Sequence, residues 1–187
     1  MAHRDVVGGL TLCADQHGSS HRLAPTKRPV YTDEERARRD ATVWTRVQAI
    51  LAPFQFLVFL VSLGLVITAL VTDSLHGAAA ASVVAKTIVL YVIMVTGAIW
   101  EKVVFGQFLF APSFFWEDVV SFGVIALHTA YLFVFFLGIG SPTSQLLIAL
   151  AAYALYVVNA GQFLFKMVAA KRSDPALGKV AAAGGPA

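Results

Sequence analysis

Ionisable side chains are rare in the apolar middle of this 187-residue sequence, so the few that occur there are its candidates for chemistry. Glu101 and Lys102 precede an aromatic stretch, Glu117 and Asp118 follow it, and His128 comes ten residues later. Carboxyl and imidazole groups are the usual general acids and bases of enzymes. The sequence contains no GxGxxG, P-loop, HExxH or CxxC motif. We therefore expect any reaction here to use acid–base chemistry without a bound cofactor or metal.

Helical spacing places several polar groups on inward faces. Glu117, Ser121, Val124 and His128 follow one another at i, i+4, i+7 and i+11, and Tyr131 lies on the same side. Two further rows recur at helical spacing in other apolar segments: Gln48, Gln55 and Ser62, and Asn159, Gln162 and Lys166. Because lipid cannot satisfy polar groups, such rows usually face the bundle interior. Together they predict a polar cavity that opens toward the cytoplasm.

The same residues also have structural interpretations. The imidazole and amides of the inward rows are equally suited to hydrogen bonds between helices. Glu117 and Asp118 suit the N-terminus of a helix, and Glu101 with Lys102 suits a surface ion pair. The sequence leaves these alternatives open.

The elements that would position these groups are four segments apolar enough to cross a bilayer, each close to the required length of about 20 residues. They are residues 51–71, 78–100, 119–140 and 145–165. Charged residues make up 13% of the chain, against about a quarter in a soluble domain. We therefore predict an all-α membrane protein with four transmembrane helices.

A short helix is predicted ahead of the first span. Thr32 and Glu35 have the spacing of a capping box, and Asp33 and Glu34 suit a first helical turn. The helix should begin near residue 33 and lie along the membrane surface. Pro53 then permits a kink as the chain turns inward.

Composition divides the chain into three regions. They are a disordered N-terminal tail at 1–30, a membrane domain at 31–170 and a flexible C-terminal tail at 171–187. Both tails are rich in Lys and Arg, which predicts that both termini face the cytoplasm. Only the short turns and Lys86 should lie toward the opposite side. Anionic lipid explains the basic tails better than nucleic acid does.

Residues 103–116, between the second and third spans, are strongly aromatic and too few to cross a membrane. Pro112 would interrupt a helix there, so we predict an interfacial or re-entrant segment on the cytoplasmic side. One interpretation is anchoring, since Trp44, Trp100 and Trp116 all fall at predicted cytoplasmic ends of spans. The other is that the segment forms the lip of a pocket for a large, flat, apolar substrate.

Long stretches of the sequence resemble one enzyme family. The motif WEKVVFGQFLFAP, followed by FFWEDV and ALHTAYL, is similar to the 2-vinyl bacteriochlorophyllide hydratase family, and the likeness covers about residues 30–170. The resemblance implies addition of water to the 3-vinyl group of chlorophyllide a or 3-vinyl bacteriochlorophyllide a. The product carries a 3-(1-hydroxyethyl) group and is an intermediate of bacteriochlorophyll biosynthesis. The implied substrate is a flat magnesium macrocycle with a free propionate.

This chemistry needs a proton donor for the terminal CH2 and a group that activates water. For the reaction that the resemblance implies, we expect Glu101 or Glu117 to be the proton donor, and His128 or Asp118 to be the group that orients or activates water. A carboxyl at a dry bundle edge is held in its neutral form more readily, as the acid role requires. An alternative role for His128 is axial ligand to the magnesium of the substrate. No metal or cofactor belonging to the protein itself is expected.

We expect a lysine side chain to bind the propionate of the substrate, aromatic side chains to stack on the macrocycle, and amide side chains to hydrogen-bond the substituents of the macrocycle. The residues are Lys102 for the propionate, Trp100, Phe108, Phe115, Trp116 and Tyr131 for stacking, and Asn159 and Gln162 for hydrogen bonds. Expected partners are the pigment, the lipid of an inner photosynthetic membrane, other pigment-biosynthesis enzymes and further copies of the chain.

Two other functions compete with hydration. A non-catalytic carrier of pigment intermediates would need the ring site without a carboxylic proton donor. A transporter or proton channel would carry several ionisable groups near mid-membrane. His128 is the only ionisable residue that we expect well inside a span, which argues against this class.

Overall fold

The structure, a computed structural model, describes residues 30–172, and this part of the chain forms five α-helices. They are α1 Asp33–Ala41, α2 Val43–Thr72, α3 His76–Phe105, α4 Phe115–Phe136 and α5 Pro142–Arg172. The last four are long and apolar enough to cross a membrane, so the predicted all-α fold with four spans is confirmed. Nearly all of the two predicted tails, including Cys13, lies outside the described residues.

The predicted capping box begins α1. The backbone N–H of Thr32 donates to Glu35 Oε2 (2.8 Å), and the N–H of Glu35 donates to Thr32 Oγ1 (3.2 Å). The helix does not continue into the first span, because Thr42 has an extended backbone and its Oγ1 caps α2. The chain therefore leaves α1 at Thr42, and Pro53 lies inside the uninterrupted α2.

The helices α2 and α3 form one antiparallel hairpin, and α4 and α5 form a second. Within each hairpin the helices pack along much of their length, and contacts between hairpins are sparser. The N–H of the Trp100 indole donates to Thr45 Oγ1 (2.9 Å), and Gln48 Nε2 donates to Thr96 Oγ1 (2.8 Å). These polar partners keep α2 helical eight residues before the predicted start of the span.

Buried apolar side chains from all four spans fill the bundle. They include Phe59, Val66, Val83, Leu90, Val124, Leu146 and Tyr153. We call the end of the bundle where α2 and α4 begin, and where α3 and α5 finish, the acidic end. Trp44, Trp100 and Trp116 lie at this end, in agreement with their predicted common side.

Residues 106–114, here called the connecting loop, join α3 to α4 at the acidic end. The backbone is left-handed at Gly106 (φ 84°), Leu109 (φ 115°) and Phe110 (φ 57°). The predicted interruption of the helix is confirmed, although it begins at Gly106 rather than at Pro112. That the loop lies at the membrane interface or re-enters it stays a prediction.

Candidate active site

Three acidic side chains are buried together at the acidic end. Glu101, Glu117 and Asp118 are 5%, 7% and 3% exposed, and we call them the acidic cluster. Glu101 comes from the end of α3, whereas Glu117 and Asp118 come from the first turn of α4. The carboxyl groups of Glu101 and Asp118 are within hydrogen-bonding reach of each other. The structure therefore brings together the three carboxyl groups that the sequence nominated.

The connecting loop covers two of these acids with its backbone. The N–H of Phe110 donates to Asp118 Oδ2 (2.6 Å), and the N–H of Ala111 donates to Glu101 Oε2 (3.3 Å). The left-handed turn at Leu109 and Phe110 brings these amides to the acids. Asp118 thus binds the loop, and the N-cap of α4 has no side-chain hydrogen bond.

Two structural interpretations from the sequence are therefore wrong. Asp118 does not act as a simple helix cap, because its carboxylate accepts from the loop. Glu101 does not form a surface pair with Lys102, because Glu101 is buried and Lys102 Nζ donates to the carbonyl of Gly106 (2.7 Å).

Glu117 is paired with a lysine from the second hairpin. Its Oε1 lies 3.0 Å from Lys166 Nζ in α5, and Lys166 also donates to the carbonyl of Ser113. The other oxygen of Glu117, Oε2, is buried and has no hydrogen-bond partner among the described residues. Lys166 shares a helical face with Asn159 and Gln162, so its inward position was predictable from spacing, although its role as partner of an acid was missed.

The predicted amides lie next to the acidic cluster, on α5. Asn159 Nδ2 donates to Ser121 Oγ (2.9 Å), which ties α5 to α4. The buried Oε1 of Gln162 has no partner in the described part of the chain. Asn159 is thus engaged in an interhelical bond, whereas Gln162 has free hydrogen-bonding capacity.

The predicted aromatic residues divide into two groups. Trp100 packs edge-on against Phe105 and Phe114, with centroids 5.7 Å apart in both cases. Phe108, Phe115 and Trp116 are 60%, 44% and 69% exposed. Trp100 therefore contributes to packing, whereas the other three residues expose their rings on the surface around the connecting loop.

Tyr31 joins the packed aromatic group, with its ring 5.8 Å from that of Phe105. Burial raises the pKa of the Tyr31 hydroxyl, while Arg39, whose guanidinium lies 4.8 Å from the ring, acts in the opposite direction.

His128 is buried on the predicted inward face but lies apart from the acidic cluster. Ten residues of α4 separate it from Asp118, which corresponds to about 15 Å along the helix. Tyr131 is further away and lines a cavity of about 210 Å³ at the opposite end of the bundle. The structure therefore does not bring His128 and Tyr131 to the carboxyl groups.

The partner of His128 is Lys86, whose position was predicted wrongly. We expected Lys86 toward the surface opposite the acidic end, but it is completely buried, with Nζ 2.9 Å from His128 Nε2. The expectation that His128 is the one ionisable group deep in the bundle is therefore wrong as well. A lysine near the start of an apolar segment usually extends toward the headgroups, so its sequence position gave no sign of this contact.

Four members of the inward polar rows, Gln55, Ser62, Ser121 and Asn159, are buried as predicted, and Asn159 bonds to Ser121 across two of the rows. Ser62 Oγ lies 2.6 Å from Tyr153 Oη, and Gln55 is 2% exposed. Two cavities lie elsewhere, one at the opposite end of the bundle and one of about 180 Å³ between α2 and α5. Neither borders the acidic cluster.

Comparison with known proteins gives consistent matches. A family model described as 2-vinyl bacteriochlorophyllide hydratase matches residues 31–169. The 2-vinyl bacteriochlorophyllide hydratase of Rhodobacter capsulatus is 66% identical over 143 residues, covering 76% of this chain and 83% of that protein. The protein of the same name from Cereibacter sphaeroides is 68% identical over 145 residues, covering 77% and 89%. No solved structure matches.

Proposed function

This chain belongs to the 2-vinyl bacteriochlorophyllide hydratase family, and from that membership we propose that Glu101 and Asp118 carry out the proton transfers of hydration. The enzyme is a hydro-lyase of bacteriochlorophyll biosynthesis, as the sequence resemblance predicted. It adds water to the vinyl group of its tetrapyrrole substrate. The assignment of roles to individual side chains is our proposal.

Hydration of a conjugated vinyl group proceeds through a cation. A proton adds to the terminal CH2, and the positive charge forms on the inner carbon, where the macrocycle delocalises it. Water attacks that carbon and then loses a proton, so that the π bond of the vinyl group is replaced by one C–H and one C–O bond and the C–C single bond remains. The site must therefore hold a neutral acid, a base for water and negative charge near the cation.

The Glu101–Asp118 contact suits the first two tasks. Two adjacent buried carboxyl groups cannot both ionise at low cost, so such a pair shares one proton. The short bond from the Phe110 amide to Asp118 (2.6 Å) favours negative charge on Asp118, whereas the bond to Glu101 is longer (3.3 Å). We therefore assign Glu101 as the proton donor and Asp118 as the base that accepts a proton from water.

Glu117 suits the third task. Its Oε1 lies 3.0 Å from Lys166 Nζ, so Glu117 is held as the partner of a cation and is not placed as the proton donor. A fixed carboxylate beside the reacting carbon stabilises the developing cation. Of the two candidate donors named from the sequence, the geometry thus favours Glu101.

His128 has no place in these proton transfers, because it lies about 15 Å from Asp118 along α4. Its ring is engaged on both sides: Nδ1 lies 2.7 Å from the Val124 carbonyl, and Nε2 lies 2.9 Å from Lys86 Nζ. An axial bond to the substrate magnesium would require Nε2 to leave Lys86.

The macrocycle is proposed to approach the acids from the exposed aromatic surface. Phe108, Phe115 and Trp116 offer ring faces beside the connecting loop, and stacking on such rings suits a flat pigment. Because the amides of Phe110 and Ala111 cover the acids, substrate entry requires the loop to move away from them.

The membrane setting extends this proposal. Basic residues in α1 and at the end of α5, Lys171 and Arg172, flank the acidic end. We therefore place this end and both termini on the cytoplasmic side of an inner membrane. The enzyme is proposed to need no cofactor, the magnesium being part of the substrate. Association with other pigment enzymes or further copies of the chain stays a prediction.

The observation that carries the proposal is that two buried carboxyl groups, one from each hairpin, accept hydrogen bonds from two consecutive backbone amides of the connecting loop. The test compares Glu101→Gln and Asp118→Asn with Glu34→Gln, a change of an exposed acid in α1. Loss of the conjugated vinyl group is followed by absorbance, and pigment binding is measured on the same preparations. We expect both site variants to lose about 10²- to 10⁴-fold in rate while still binding pigment. Wild-type rates in both would refute the assignment.

A further inference from the structure

A second polar centre lies in the bundle core and plays no part in the proton transfers described above. Lys86 of α3 is completely buried, and its Nζ lies 2.9 Å from His128 Nε2 and 4.1 Å from the centre of the Tyr156 ring. Because His128 Nδ1 donates to the Val124 carbonyl, its Nε2 is the atom that accepts a hydrogen bond from Lys86. His128 thus fixes the position of the lysine head group.

The amino group of Lys86 has no acid beside it. In residues 30–172 no carboxylate lies within ion-pair distance of Lys86. A charged side chain inside a membrane bundle is costly and usually belongs to a functional site. A lysine with three donors and one neutral partner retains the capacity to bind an anion.

Further unpaired polar atoms lie between Lys86 and the acidic cluster. Gln55 of α2 is 2% exposed, and neither its amide nitrogen nor its amide oxygen has a partner in the described part of the chain. Gln55 is one helical turn closer to the acidic end than Phe59, whose ring lies 4.8 Å from that of Tyr156. Tyr156 in turn lies over Lys86. The core between the two centres therefore offers hydrogen bonds to a polar ligand.

Both centres lie at the interface between the two helical hairpins. Glu101 and Lys86 belong to α3, and their partners Asp118 and His128 belong to α4. The spacing of Asp118 and His128 along α4, about 15 Å, matches the dimensions of a tetrapyrrole with its side chains. One macrocycle is therefore long enough to touch both centres once the two hairpins, whose packed side chains fill the bundle, separate to admit it.

We propose that Lys86, positioned by His128, binds the carboxylate of the pigment while the vinyl-bearing edge lies against Glu101 and Asp118. This inference rests on the proposed function, since it takes that pair as the place of hydration. It moves the carboxylate contact away from Lys102, which is exposed at the acidic end and donates to the Gly106 carbonyl. A chlorophyllide is a free acid, and burial strengthens the interaction of its carboxylate with an ammonium group.

The experiment compares chlorophyllide a with its methyl ester, which removes the negative charge and keeps the vinyl group. Both are assayed with the wild-type enzyme and with Lys86→Met, Lys86→Arg, Lys102→Met and the matched control Lys171→Met, an exposed lysine at the end of α5. The wild-type KM should be about 10- to 100-fold lower for the free acid, as expected for a hydrogen bond to a charged group. Lys86→Met should abolish this preference by raising KM for the acid, with a smaller effect on kcat.

Lys86→Arg should keep part of the preference, and Lys171→Met should keep all of it. A wild-type enzyme that treats acid and ester alike overturns the inference, and this arm does not depend on the folding of a variant. The inference is also overturned if Lys102→Met loses the preference for the free acid while Lys86→Met keeps that preference. Failure of the proposed proton donor can be distinguished from failure of this inference. It would appear as full activity of Glu101→Gln, whatever the comparison of free acid and methyl ester shows.

Discussion

Glu101 and Asp118, from the end of one membrane helix and the first turn of the next, have their buried carboxyl groups within hydrogen-bonding reach of each other. The nine residues between these helices fold back so that two backbone amides bind the pair. Acid, base and the loop that covers them therefore come from one continuous stretch of about 18 residues, which concentrates the chemistry where the two hairpins are joined.

If the pair shares one proton, its two members act as a unit. We expect the double variant Glu101→Gln/Asp118→Asn to hydrate at about the rate of the slower single variant, because removing either carboxyl already removes the shared proton. Single-turnover absorbance assays on all three variants measure this. Multiplicative losses would show that the two residues act independently.

The ion pair of Glu117 with Lys166 predicts a stability effect that can be reversed. Lys166→Met leaves the largely buried Glu117 without its cation, and should lower the free energy of unfolding by about 1–3 kcal/mol. The double variant Lys166→Met/Glu117→Gln should recover part of this loss, because the unpaired charge is gone. Thermal unfolding in detergent, with Lys171→Met as control, measures both. A double variant less stable than Lys166→Met would contradict the pairing.

Gly106 has a left-handed backbone (φ 84°) at the start of the connecting loop. Gly106→Ala should therefore destabilise the loop by about 1–2 kcal/mol, even though a Cβ there would meet no heavy atom within 4 Å. Gly64→Ala is the matched control, since its Cβ would also be uncontacted but the residue lies inside α2. Protease susceptibility of the loop should rise in Gly106→Ala alone. Equal behaviour of the two variants would argue against strain at Gly106.

Much of the fold was predictable because the membrane environment leaves few options. Four apolar runs of about 20 residues, of which only the second carries a charged residue type, are typical of spans, and the capping box of Thr32 and Glu35 fixed the start of α1. The acids at 117 and 118 and the inward row through His128 were also predictable, since helical spacing decides which residues share a face. The ends of helices were harder to predict. Helix α1 ends at Thr42 because the backbone of that residue is extended.

The site was less predictable, because its decisive contacts join distant segments. Nothing in the sequence relates Glu101 to the amide of Ala111, or Lys86 to His128, since both depend on how helices register against each other. For the same reason the sequence could not show that the Lys86 side chain points into the bundle and not toward the membrane surface. The α4 face that carries Glu117, Ser121, His128 and Tyr131 was interpreted as one site, but the length of the helix places His128 and Tyr131 far from the acidic cluster.

Asn159 was nominated both as a ligand for the pigment and as an interhelical partner, and its contact with Ser121 favours the second role. Asn159→Ala should therefore lower stability by about 0.6–1.7 kcal/mol, the range found for interhelical hydrogen bonds in membranes. The KM for pigment should change less than about twofold, since the lost bond is not to substrate. Thermal unfolding and steady-state kinetics on one preparation measure both, and a large rise in KM at unchanged stability would restore the ligand role.

Trp100 and Trp116 should respond in opposite ways to truncation, because one ring is packed and the other is free. Trp100 lies between Phe105 and Phe114 and donates to Thr45, so Trp100→Ala should cost about 3–5 kcal/mol of stability through the cavity and the lost bond. Trp116 is 69% exposed, and Trp116→Ala should leave the unfolding temperature nearly unchanged. Its effect should instead be weaker pigment binding by about 10-fold, the loss expected when one stacking ring is removed. Fluorescence quenching by pigment and thermal unfolding separate the two outcomes. Unchanged pigment affinity in Trp116→Ala would remove the exposed aromatic surface from the binding site.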